Sequence, residues 1–128
     1  MTPVRIPSPS PYAATAGFSA AVRRGDLVVV AGTTALSADG ELVGGDDPHA
    51  QAREALRKVG AALEAAGATL EDVVQTRVSI ANRDDWEPVG RAHGEVFGAA
   101  PPAMAMLVAG LVDERMLVEI EAIAHVGR

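Results

Sequence analysis

The sequence predicts an α+β fold in which two helices pack on one face of a mixed sheet, and three observations carry that prediction. Near the C-terminus, Leu117–His125 alternates. Val118, Ile120, Ala122, Ala124 and, just beyond, Val126 make an apolar face, while Glu119, Glu121 and His125 point the other way with Leu117 and Ile123. That is the two-residue period of a strand. Two further stretches, from Asp47 to Gly67 and from Asp84 to Gly98, hold apolar residues at helical spacing between a capping acid and a glycine stop. Strand-like and helix-like runs then alternate in the order ββαβαββ, an alternation that yields one sheet with helices layered on it.

Residues 1–16 form a partly extended arm carrying Pro3, Pro7, Pro9 and Pro11. Phe18–Val22 and Leu27–Thr33 are β-prone runs joined by Arg24-Gly25-Asp26, good chemistry for a hairpin of antiparallel strands. Ser37–Asp47, with Gly40, Gly44 and Gly45 among acidic residues, reads as a loop too irregular for a phosphate-binding fingerprint. Asp47 followed by Pro48 predicts an N-cap with proline in the first turn. From there Ala52, Ala55, Leu56, Val59, Leu63 and Ala66 face inward, and Arg53, Arg57 and Glu64 face solvent. Val73–Ile80 alternates as a strand, with Val74, Thr76, Val78 and Ile80 on one side. Asp84, three residues before Glu87, has capping-box spacing for a second helix whose inward stripe is Trp86, Val89, His93 and Phe97. Pro101-Pro102 breaks the chain, Ala103–Val108 forms a strand, and a loop around Asp113-Glu114 leads into the closing strand.

Composition narrows the function classes. A chain of 128 residues with 48% hydrophobic content is the size of a single domain (1–128) able to bury a core unaided. With only 3% aromatic residues, that core is built from Val, Leu, Ile and Ala, which suits close helix-to-sheet approach and association between copies. Cysteine is absent, which excludes disulfides, thiolate metal sites and cysteine nucleophiles together. The N-terminus lacks the continuous apolar stretch of a signal peptide, no segment suits a bilayer span, and a cytoplasmic location is expected. A formal charge of −6, with no run of Lys and Arg, argues against nucleic acid as a partner. Arg23-Arg24 and Arg53, Arg57 and Lys58 read as solvated faces.

Few residues signal chemistry by themselves. His93, on an apolar helical stripe, reads first as a hydrogen-bonded core histidine and second as a proton-transfer group reaching a cleft. Glu119, Glu121 and His125 share one strand face, but no ligand-spaced partner elsewhere supports a metal, and none is expected. His49 is a weaker candidate still. No nucleophile elbow, P-loop or dinucleotide fingerprint is present.

The pattern as a whole resembles the RidA family, small YjgF-like reactive-intermediate deaminases. It is carried by Gly17-Phe18-Ser19-Ala20-Ala21-Val22, Val30-Ala31-Gly32, Leu42-Val43-Gly44-Gly45-Asp46, Ala50-Gln51-Ala52-Arg53 and Leu63-Glu64-Ala65-Ala66-Gly67-Ala68. Later come Asp72-Val73-Val74-Gln75-Thr76, Phe97-Gly98, Pro102-Ala103 and Val118-Glu119-Ile120-Glu121-Ala122-Ile123-Ala124. The resemblance covers nearly the whole chain. It implies a chorismate-mutase-like fold assembled as a homotrimer with clefts between subunits. It also implies cofactor-free hydrolysis of a small imine or enamine to a carbonyl compound and ammonia.

Carried over position by position, the resemblance gives Glu119 the role of orienting water. Phe18, Gly32, Thr33, Met104 and Met106 become the substrate-binding wall, with the Met106 carbonyl near the reacting nitrogen. Met104 stands where the deaminating members carry the arginine that grips the substrate carboxylate, and a thioether offers neither a planar fork of donors nor a charge. Losing such a grip in a desolvated site costs on the order of 2 to 5 kcal/mol. Phe18, Ala31, Thr33 and Gly90 replace a tyrosine, a serine, a glutamine and an asparagine of those relatives. Met104 and Met106 read equally as apolar interface filler and as the wall of a pocket for a substrate with its carboxylate absent or elsewhere. Altered substrate preference follows from the second reading. The alternative function is a non-catalytic metabolite-binding module or sensor using the same cleft. The RNA-cleaving activity attached to some relatives fits the acidic charge least.

Overall fold

The computed structural model describes residues 2–127. Six strands form one sheet in the order β1-β2-β3-β6-β4-β5: β1 Val4–Pro7, β2 Ser19–Arg24, β3 Leu27–Thr33, β4 Val73–Ile80, β5 Ala103–Val108 and β6 Val118–His125. All neighbours are antiparallel except β4 and β5. The helices are a single turn, α1 Ala13–Ala16, then α2 Pro48–Ala65 and α3 Trp86–Phe97. The parallel β4–β5 pair needs a crossover, and α3 is that crossover.

The hairpin between β2 and β3 closes tightly. Arg24 pairs with Leu27, so Gly25-Asp26 is the two-residue loop, and Gly25 at φ 60 supplies the positive first position of a type II′ turn. Asp47 caps α2 as expected, its carboxylate accepting from the His49 and Ala50 N–H groups at 3.0 and 3.2 Å. Arg23, expected in solvent, instead donates from a guanidinium nitrogen to the Ala66 carbonyl at 2.9 Å, where α2 ends.

One sheet face is covered by α2 and α3. Val28, Val30, Val78, Ile80, Val118, Ile120, Ala122 and Ala124 meet Ala52, Ala55, Leu56, Val59, Leu63, Val89, Ala92 and Phe97 in a continuous core. The alternation of β6 survives intact: its apolar members are buried, while Glu119, Glu121 and Ile123 are half-buried on the uncovered face. Among the described residues, no helix is long and apolar enough to cross a membrane.

Four expectations need correction. The arm contributes a sixth strand, β1, pairing Val4 with Arg23 and Ile6 with Ala21. Prolines are tolerated there because β1 is an edge strand, whose outward N–H groups have no partner to lose. Val74 is a bulge: Val73 pairs with Ala124 and Gln75 with Ile123, so Val73 enters the core and Val74 is exposed. Asp84 does not cap α3, because a short 3₁₀ turn, Arg83–Asp85, precedes it and Asp85 occupies the N-cap without a side-chain bond. Trp86, as the first residue of α3, stands beyond the stripe of Val89, Ala92, His93 and Phe97 and is 62% exposed.

Candidate functional site

A cleft of about 970 Å³ lies between the N-terminal arm, the end of β3 and the surface of α2. Its position follows from two local features. In the β3–β6 ladder Val30 pairs with Ala122 but Thr33 with Ile120, so β3 carries one extra residue across Ala31-Gly32 and bends there. On the other wall, α1 ends in Gly17 at φ 73, a left-handed conformation open to glycine, and the turn delivers Phe18 to the cleft.

Glu119, Gly32, Thr33 and Phe18 all line this cleft. Glu119 and Gly32 are fitted to one another. A Cβ at position 32 would lie 2.9 Å from the Glu119 Cδ and 3.0 and 3.2 Å from its oxygens, so the carboxyl occupies the space that glycine leaves. Burial pushes the Glu119 carboxyl above the ordinary glutamate range, and the neighbouring Glu121 charge adds to the rise. Thr33 turns its hydroxyl back to the Ala31 carbonyl at 2.7 Å, which holds the bend.

Met104 and Met106 do not join that cleft within one chain. Met104 pairs with Thr76 and Met106 with Val78, on the helix-covered face, whereas Glu119 pairs with Ser79 on the uncovered one. Met106 packs on the core, and Met104 is 42% exposed at the sheet edge.

His93 takes its first reading. It is 7% exposed, its Nε2 shares a hydrogen bond with the Thr76 hydroxyl at 2.8 Å, and its ring lies 4.7 Å from that of Phe97. Burial lowers its pKa, which favours the neutral ring, and it does not line the cleft. His49 instead sits 3.1 Å from a Glu95 oxygen, while His125 is exposed at the end of β6.

Two residues matter more than their sequence context suggested. Lys58 is half-buried on the cleft wall, donating to the Thr34 and Leu36 carbonyls at 2.8 and 2.7 Å. Gln51, fully buried, donates to the Gly45 and Arg115 carbonyls at 2.7 and 3.0 Å and accepts from the Leu117 N–H at 2.9 Å. It therefore fixes where the chain enters β6, two residues before Glu119. A lone amide on the inward stripe of α2, in line with Ala55 and Val59, was the available signal. Lys58 gave none, since its acceptors are backbone carbonyls of a distant loop.

Known proteins share both the pattern and this architecture. The family model described as endoribonuclease L-PSP matches residues 8–126. The chain belongs to that family. A Mycobacterium tuberculosis protein described as a member of the highly conserved YjgF/YER057c/UK114 family superposes with a TM-score of 0.88 at 43% identity, over 98% of this chain and 100% of that one. The YjgF gene product of Escherichia coli gives a TM-score of 0.81 at 28% identity, over 95% and 98%. An uncharacterized protein of Streptomyces coelicolor is 41% identical over 124 residues, covering 96% of this chain and 92% of its own. The protein is thus RidA-like in family and chorismate-mutase-like in fold. Among its described residues, no group of three or more His, Asp or Glu side chains is placed to hold a metal ion.

Proposed function

We propose that this RidA-like protein is a cofactor-free deaminase that hydrolyses a small imine or enamine to a carbonyl compound and ammonia. The observation that carries the reading is Glu119: a carboxyl with a raised pKa, seated against Gly32 in a cleft whose other walls are largely apolar. Such a group alternates more readily between proton acceptor and donor near neutrality than an exposed glutamate. Glu119 takes a proton from water as the oxygen bonds to the C=N carbon. The same proton then passes to nitrogen to give a carbinolamine, and Glu119 relays the carbinolamine hydroxyl proton to that nitrogen, so that ammonia leaves as the C–N bond breaks and the C=O bond forms. Water and imine supply every atom of the products.

The active form is a homotrimer with the cleft shared between subunits, as the family resemblance implies. Supporting it is the placement of Met104 and Met106 on the opposite sheet face from Glu119, so that only another copy's residues would bring them to this carboxyl. The apolar members of the uncovered face, Leu27 and Val29 among them, are exposed in one chain and gain from burial between copies. The expected compartment is the cytosol. RNA cleavage is disfavoured by the net charge of −6.

The test compares wild type with Glu119→Ala on a panel of imines and enamines generated in situ, reading ammonia release. Loss of release in the variant supports the reading, and equal rates in both remove Glu119 from the mechanism. The substitution of Met104 for arginine favours one second reading, a metabolite-binding module without turnover. Ligand retained through purification, with no ammonia released from any imine, would select it.

A further inference from the structure

The cleft wall formed by α2 carries a cation that, among the described residues, no carboxylate contacts in an ion pair. Glu54, the acid nearest in sequence, is engaged by Arg57, whose Nε and a terminal nitrogen each reach it at 2.7 Å. Among the described residues, Lys58 takes part in no ion pair. Its ammonium gives two of its three N–H donors to the Thr34 and Leu36 carbonyls, which leaves one donor unassigned. Burial lowers its pKa, against the opposing pull of the Glu54 charge, the sign of a charge only partly solvated. Phe18, Leu36, Ala62 and Met116 line the same cleft with apolar surface.

A half-buried cation with a spare donor beside apolar walls is complementary to an anion that carries an apolar body.

We propose that the cleft binds an amphipathic carboxylate whose acid group sits on Lys58 and whose apolar body lies against the walls formed by Phe18, Leu36, Ala62 and Met116. The ligand class is therefore a carboxylic acid with an apolar chain. The inference rests on the cleft described for the proposed deamination, and it places the anchoring cation on α2 instead of at position 104.

Calorimetric titration of the full-length protein with hexanoate, hexanamide and acetate tests it. Wild type binds hexanoate at least ten-fold more tightly than hexanamide or acetate. Lys58→Met loses at least ten-fold for hexanoate and keeps its hexanamide affinity, while Lys58→Arg retains the preference. Equal affinities for hexanoate and hexanamide in wild type, no measurable hexanoate binding, or undiminished hexanoate binding by Lys58→Met would each overturn the proposal. The wild-type comparison stands even if Lys58→Met fails to fold. Hexanoate binding by wild type with no imine turned over leaves the anchor in place, which separates this inference from the deamination reading. Conversely, turnover that depends on Glu119 without any carboxylate preference sinks the anchor alone.

Discussion

The two halves of the sheet treat polar groups in opposite ways. Around β4, β5 and α3, the buried polar side chains satisfy one another: His93 bonds Thr76, packs on Phe97 and is closed off from solvent. Around β3, β6 and α2, Glu119 and Lys58 are half-buried at a cleft, and neither forms an ion pair among the described residues. Burial disfavours the charged form of all three groups. A titratable group enclosed with a partner serves the core, whereas one left at a cleft without an ion pair is available to a ligand.

The sharpest break of that contrast is Glu119→Gln, which should lower imine turnover by about 10²- to 10⁴-fold, the usual worth of a general acid–base group. Its folding stability is unharmed, and steady-state ammonia release checked against chemical denaturation separates the two. Gly32→Ala reaches the same carboxyl indirectly. The added methyl would fall within 3.2 Å of Glu119 oxygens, and displacing the group by about an ångström should cost about 100-fold in turnover. Binding of hexanoate at Lys58 should change little.

His93→Ala acts only on the other half. It orphans the buried Thr76 hydroxyl, at about 1–3 kcal/mol, with a further loss for the cavity. Urea midpoints should fall accordingly while ligand affinity at the cleft holds.

The pH dependence of stability separates the halves by sign. The folded-state pKa of His93 lies below 6.5, so its contribution is present above 6.5 and fades as pH falls through the lowered pKa. The folded-state pKa of Glu119 lies above 4.5, so its contribution is present below 4.5 and is lost as pH rises through the raised pKa. Denaturation across acid pH should show a flatter acid limb for His93→Gln. Glu119→Gln should gain on wild type only on the neutral side. The smallest effect belongs to the exposed loop before β6, where hydrogen bonds from Arg115 hold the Asp113 carboxyl down at about 2. In Arg115→Ala, carboxyl titration followed by NMR should return Asp113 toward 3.8.

Much of the fold was legible because local chemistry and tertiary structure agree. Leu27–Thr33, Val73–Ile80 and Ala103–Val108 are strands with the bounds that the sequence predicts, and the Asp47 cap with Pro48 begins α2. The misses share a cause. Proline argues against a strand locally, but the exposed edge of β2 gives residues 4–7 a partner. The bulge at Val74 comes from the register against β6, which no period within β4 contains. Glu119, Gly32, Thr33 and Phe18, the positions that the resemblance singled out, line one cleft, whereas nothing in the sequence pointed to Lys58, whose partners lie more than twenty residues away.

By itself the sequence determined the element types and the apolar face of β6, since propensity and alternation are local properties. Only the tertiary structure decided which faces look at one another. It put Met104 across the sheet from Glu119, enclosed His93 with Thr76, and set a lysine from α2 at the cleft. The physical reason is that strand order, register and bulges arise from pairing between distant segments, and these fix which side chains are buried, matched or left open to a ligand.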